Sequence, residues 1–310
     1  MAAIVFIHGL ANKPESDYLH NLWKRKLAVD DGFNVESDDV ACAMAYWADV
    51  LYPAPDTNLA DYEAASGDEA LAEAAPVAAD APSRAAARDP RLRRLSIALG
   101  VDPDAPAVEE PLPEEIQGVK AERVPVPAWL RKRLMARFVR DASLYFNNET
   151  FSPRAGAAFR VRDELRRRFM DRLRDAQGNR PLVVLSHSMG TIIAYDCLMH
   201  EPDCPAIDGL MTAGSPLGLD EVQDFFPAWS RRNGFPSSKL KGRWVNVYDP
   251  LDPVAGLDPL FANDFQRDGA AVVEDIREDN WGTWRHSISK YLQGRLLRRH
   301  LAEMVGATWP

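Results

Sequence analysis

The segment Ser186-His187-Ser188-Met189-Gly190 holds a serine between small residues at the apex of a sharp turn. A free serine hydroxyl is a poor nucleophile, so chemistry at Ser188 requires an adjacent base to take its proton. Six histidines are available. His187 is next in sequence, and its side chain must point away from the Ser188 hydroxyl. His20, His200 and His300 fall in helix patterns with charged neighbours and are expected to be exposed. His8 follows a strand pattern and reads as a packing residue beneath a loop. His286 lies in the polar stretch 280–287, just ahead of an apolar helix pattern. Such a base works best when a carboxylate fixes its tautomer and stabilises its charged form. Asp249 and Asp252 stand in Asp249-Pro250-Leu251-Asp252-Pro253-Val254, with Asp258 and Asp264 further along.

The elements that must position these groups alternate between strand and helix patterns. Residues 181–185 form a short apolar run, β-branched in its middle, which predicts a buried parallel strand. A helix pattern follows the turn, with Ile192, Ile193 and Tyr195 as its apolar positions. Strand, tight turn and helix lift the serine to the carboxyl edge of an open α/β sheet, where ligands bind. Small residues at Ser186 and Gly190 let the flanking backbones pass each other. Residues 4–7, 40–47, 207–213, 243–248 and 270–276 read as further strands. Residues 16–29, 129–146 and 153–173, and the stretch from Ile288 on, read as helices. Gly214-Ser215-Pro216-Leu217 is a strand exit loop in which Ser215 has a turn role, and Phe225, Phe226 and Trp229 either line a pocket or pack. The alternation predicts an α/β fold with a mostly parallel sheet flanked by helices.

With these residues in place, the chain resembles the α/β-hydrolase superfamily, of lipase and esterase type. The family's elbow is Gly-x-Ser-x-Gly, and here Ser186 replaces the first glycine, a change that still avoids a clash. The Gly-Ser-Pro turn after 207–213 is similar as well. The resemblance implies a nucleophile, acid and base in the order Ser188, Asp252, His286. In the family the acid follows a late strand, commonly shortly before a valine or isoleucine, which favours Asp252 over Asp249. The base sits in the loop after the last strand, which is the place of His286. The family's oxyanion hole implies backbone N–H donors at Leu10, after the His8-Gly9 pair, and at Met189. The likeness spans residues 4–50 and 154–297, with a sheet lacking the family's first two strands, and it calls for no metal or cofactor.

Composition sets the remaining limits. A length of 310 residues suits one α/β domain carrying an insertion. The net charge of −9 and pI near 5.3 argue against nucleic acid as the main partner. Cys42, Cys197 and Cys204 match no metal motif and read as thiols in a reducing compartment. Neither a signal peptide pattern nor a membrane-span pattern is present, which points to a soluble cytoplasmic protein. The expected division is a core of 1–55 and 150–310 with a largely helical cap of 56–149. Residues 56–123 are rich in alanine, proline and acids and bury little, though Leu92, Leu95, Ile97 and Leu99 can dock a short helix. Trp129, Leu130, Leu134, Phe138, Tyr145 and Phe146 form an apolar stripe, with Arg131, Lys132, Arg133, Arg137 and Arg140 mostly off it. That pattern suits a cap or core helix, or a lid making transient contact with a membrane surface. The expected activity is carboxylic ester hydrolysis on a small-molecule or lipid ester. Acyl transfer or amide cleavage with the same three residues, and a non-catalytic interaction module, stand as alternatives.

Overall fold

The computed structural model describes residues 1–59, 89–103, 128–282 and 284–308, without the side chains of 128–130. Six strands form one all-parallel sheet: β1 (Ala2–Ile7), β2 (Val40–Ala45), β5 (Leu182–His187), β6 (Ile207–Ala213), β7 (Leu240–Tyr248) and β10 (Val273–Arg277). Their spatial order is β2-β1-β5-β6-β7-β10. Growth of the sheet reverses between β1 and β5, and in open α/β sheets ligands bind outside the carboxyl ends at such a switch point.

Apolar residues on successive positions of a strand go to opposite faces. Ala3, Val5 and Ile7, with Leu182 and Val184, join one core. Ile4 and Phe6, with Val183 and Leu185, join the other. Helices cover both faces, so β5 is buried at all six positions. The second core is closed by α1 (Ser16–Ala28), α8 (Ile288–Gln293) and α9 (Arg295–Val305). The first is closed by α3 (Pro90–Ala98), α4 (Ala128–Phe146), α5 (Val161–Ala176) and α6 (Met189–His200). The short helices α2 (Ala48–Leu51) and α7 (Asp220–Gln223) complete the layer.

The parallel register sets where the loops emerge. Ile7 pairs with Ser186, Ser186 with Thr212, and Thr212 with Asn246. The residues that follow, His8-Gly9, Ser188, Gly214 and Asp249, therefore leave the sheet together at one edge.

The structure departs from several expectations. Residues 153–173 do not form one helix. Thr150–Arg154 (β3) and Ala157–Arg160 (β4) make an antiparallel hairpin, and α5 starts only at Val161. Gly156 turns the hairpin at φ 78°, and Pro153 lacks the N–H a helix interior uses. Residues 270–276 are not one strand either. Ala270–Ala271 (β9) folds back on Gln266–Arg267 (β8) across Asp268 and Gly269, both at positive φ, as a two-residue hairpin turn requires.

Of the expected insert, 60–88 and 104–127 lie outside the described residues, as does the side-chain placement of Trp129 and Leu130. Helix α3 docks through Leu92, Leu95 and Leu99, whereas Ile97 is exposed. Helix α4 shares the main core through Leu134, Phe138, Ala142 and Tyr145. Arg137 and Arg140 are buried on it rather than solvated. Arg140 pairs with Asp141 at 2.6 Å and lies over the rings of Tyr52 and Phe151, contacts that offset its lost hydration. His300 is likewise buried, beside Arg243 and Glu303, while His20 and His200 are half-buried. The cysteines are free. No described helix is long and apolar enough to cross a membrane.

His8 is fully buried under the first loop, stacked on Trp47 with ring centroids 4.6 Å apart. Its Nε2 accepts the Trp47 N–H at 3.0 Å, so its Nδ1 donates to Gly9 O at 2.8 Å. Burial, then the charge of Lys13, hold its pKa down at about 3. Burial also pushes His187 well below the ordinary range. Both are neutral in the fold but take up protons below about pH 6.5 when unfolded. Their contribution is thus complete above that pH and is lost as pH falls below it, for His8 down to about 3. Each costs about 1.4 kcal/mol per pH unit within the window. Thermal denaturation should show the midpoint falling by several degrees between about pH 6.5 and 5. A flat midpoint over that range would contradict this burial of neutral imidazoles.

Candidate active site

Ser188 links β5 to α6 at φ 52° and ψ −127°, a region that residues with a Cβ rarely occupy. Its N–H donates to Ala213 O at 3.1 Å, and its carbonyl accepts from Thr191 N and from Thr191 Oγ1 at 2.6 Å. Ser215 Oγ bonds Thr191 Oγ1 at 2.6 Å and accepts the Leu217 N–H at 3.2 Å, so it shapes the elbow and its own turn. Small residues are needed on both sides. A Cβ on Gly190 would lie 2.5 Å from His8 O and 2.7 Å from Ile7 O. One on Gly9 would lie 2.7 Å from Ser188 Cβ. Ser186 turns its hydroxyl away, to Met211 O at 3.0 Å.

The structure brings Ser188, His286 and Asp252 into one hydrogen-bonded row. His286 Nε2 is 2.8 Å from Ser188 Oγ, and Nδ1 is 2.9 Å from both Asp252 oxygens. A carboxylate on Nδ1 fixes the proton there, which leaves Nε2 to accept from the serine hydroxyl. All three residues are buried, Ser188 at 1% exposure. Burial opposes ionisation of Asp252. The charge and hydrogen bond of His286, the Val254 N–H and the Tyr291 hydroxyl outweigh it and hold the carboxyl below its usual range.

Asp249, also buried, does not touch His286. Its Oδ1 accepts the Leu251 N–H at 2.7 Å. Its Oδ2 accepts the Asn280 N–H at 2.8 Å and pairs with Arg285 at 3.1 Å. It thereby ties the turn carrying Asp252 to the loop carrying His286. That loop is held further by Asn280 Nδ2 on Arg285 O and Lys290 Nζ on Trp284 O, at 2.7 and 2.8 Å. His187 Nε2 donates to His286 O at 2.9 Å, pinning the backbone behind the imidazole. Asp258 and Asp264 belong to a separate group with Asp220 and Arg231. Burial raises Asp258 to about 6 there.

Leu10 and Met189 sit beside the serine, one after Gly9 and the other at the first position of α6. Among the described residues neither backbone N–H meets a protein acceptor. Ala11 holds the loop of Leu10 at φ 69°. Phe225 stacks on Phe146 at 4.1 Å, and Phe226 and Trp229 pack against Tyr195, away from the row.

No protein-family model and no curated protein matches the chain.

Three groups at this site carry little sequence signal. Tyr291 falls at helical spacing and reads as core. Lys290 reads as surface. His187 carries its signal only in adjacency to Ser188. Gly190→Ala should cost roughly 1–3 kcal/mol, because the new methyl meets backbone atoms that cannot give way. Gly178→Ala, where nothing lies within 4 Å, should stay within about 0.5 kcal/mol. Urea unfolding of both variants checks the pair, and equal midpoints would contradict the tight elbow.

Proposed function

We propose that the protein is a serine hydrolase of the α/β-hydrolase type that cleaves carboxylic esters through an acyl-enzyme. The observation that carries this reading is the row Asp252–His286–Ser188, at 2.9 and 2.8 Å, ending on a strained elbow at a sheet switch point. A buried serine needs no imidazole on its hydroxyl for stability, nor that imidazole a carboxylate behind it. Together they form a base able to accept a proton and bear the resulting charge.

The reaction follows from the geometry. Ser188 Oγ attacks the ester carbonyl carbon while His286 Nε2 takes its proton. Asp252 stabilises the imidazolium without itself being protonated. Negative charge gathers on the former carbonyl oxygen, and the N–H groups of Leu10 and Met189 are its donors. The carbon–oxygen bond to the alcohol breaks as Nε2 returns the proton to the leaving oxygen. Water, deprotonated by His286, then cleaves the acyl-serine bond and releases the acid. Trp284 packs edge-on against the His286 ring at 5.8 Å, and Leu10, Met189 and Val254, next in the chain to Gly9, Ser188 and the Asp252 turn, are buried apolar residues. These suit an uncharged acyl group, from a small molecule or a lipid ester.

Hydrolysis of p-nitrophenyl esters tests the assignment. Ser188→Ala should reduce turnover to background. Asp252→Asn should lower kcat about ten-thousandfold, because the amide favours the wrong imidazole tautomer. Asp249→Asn, which leaves the row intact, should cost far less. Undiminished turnover by Ser188→Ala, or equal losses at the two aspartates, would contradict these roles.

A further inference from the structure

Asp252 is held by more groups than its contact with His286 requires. Oδ1 accepts the N–H of Val254 at 2.8 Å and of Ala255 at 3.1 Å, both within its own turn. Oδ2 takes no backbone donor. Beyond His286, its partner is the hydroxyl of Tyr291 at 2.8 Å. The same phenol oxygen accepts the Asp249 N–H at 3.1 Å. That fixes the direction of the hydroxyl proton: an N–H can only donate, so the phenol's own proton goes to Oδ2.

The ring is as constrained as its hydroxyl. Tyr291 is fully buried on α8, the helix that directly follows the His286 loop. Its Cε2 would lie 3.0 Å from a Cβ on Gly214, a residue at φ 56° whose missing side chain leaves room for the ring. The helix behind the base therefore reaches back to the acid, through a group with no freedom to rotate away.

Without that contact, the carboxylate is held by the two amides on Oδ1 and by the imidazole it serves. It can then pivot about Oδ1 and swing Oδ2 off the His286 Nδ1–H, leaving that N–H only the oxygen already shared with two amides. We propose that Tyr291 is a positioning residue whose hydroxyl locks the Asp252 carboxylate in the orientation that serves His286. This rests on the reading of Ser188 as the nucleophile.

Two consequences separate this role from packing. A lost hydrogen bond to a charged group is worth roughly tenfold to one-hundredfold in an equilibrium or rate. A carboxylate swung away from the Nδ1–H also stabilises the imidazolium less, so His286 gives up its proton at lower pH.

The test is the rate at which a fluorophosphonate labels the full-length protein, measured against pH, with Ser188→Ala as the floor. Tyr291→Phe keeps the ring and removes the hydroxyl. It should label about ten- to one-hundredfold more slowly at the plateau, with the midpoint of the pH rise moved downward. In an Asp252→Asn background the same replacement should change the rate less than about twofold, since its effect runs through the carboxylate. A parent-like rate and midpoint in Tyr291→Phe overturns the proposal. So does an equal slowing in the Asp252→Asn background, which would assign Tyr291 to folding alone. Should Tyr291→Phe fail to fold, 3-fluorotyrosine at position 291 retains the hydroxyl and strengthens it as a donor. The stronger donor keeps the carboxylate in place but draws charge off Oδ2, so the plateau rate should stay within about twofold of the parent while the midpoint moves downward, and an unmoved midpoint overturns the proposal. A parent protein that takes no label contradicts the hydrolase reading and this inference together, whereas a labelled parent with an insensitive Tyr291→Phe contradicts this inference alone.

Discussion

A residue with a Cβ is held at φ 52° and ψ −127° at the tip of the central strand, and the architecture around it keeps it there. Such a conformation costs on the order of 1–3 kcal/mol and persists only where the surroundings over-determine it. At Ser188 they do. Its N–H is taken by β6 and its carbonyl by Thr191, while Gly190 lies against the end of β1. The parallel register makes this possible, because it ends β1, β5, β6 and β7 level with one another. The loops carrying the remaining polar groups then leave the sheet within reach of a single point.

Two aspartates three residues apart show how surroundings divide labour between identical side chains. Asp252 meets an imidazole, two amides and a phenol, and its charge is turned toward His286. Asp249 meets the amides of two loops and the Arg285 guanidinium, and its charge is spent on holding those loops together. Both are completely buried, where an unpaired carboxylate would cost several kcal/mol. Exchange of their roles is barred by backbone alone, since only the Asp252 turn faces the histidine. His187 and Tyr291 extend the arrangement from each side, one gripping the backbone of His286 and the other the carboxylate of Asp252.

Much of this was legible in the sequence because it rests on local rules. Apolar runs such as 182–185 become strands buried on both faces, and their alternation with helix patterns gives a parallel sheet. A serine flanked at two positions by small residues implies a turn too tight for larger ones. The hairpin at 150–160 was hidden because Arg, Ala and Phe at those positions fit a helix equally well, and only the Gly156 turn and Pro153 argue otherwise. Arg140 reads as solvated because, although Asp141 stands next to it in sequence, a charge pattern cannot foresee two aromatic rings brought from β3 and the α2 region. Residue type and spacing leave Asp249 and Asp252 equivalent, and only the resemblance, through the nearby Val254, favours Asp252, because the contact that separates them is made by a loop some 30 residues away. Tyr291 is illegible for the same reason: spacing identifies its buried face, but not the partner of its hydroxyl.

On the proposed function, these side chains make one hydroxyl in the molecule uniquely nucleophilic. Exhaustive reaction with a fluorophosphonate, followed by peptide mapping by mass spectrometry, should then give a single adduct, one per chain, on Ser188. An adduct on any other serine, or a scatter over several surface hydroxyls with Ser188 unmodified, would contradict it.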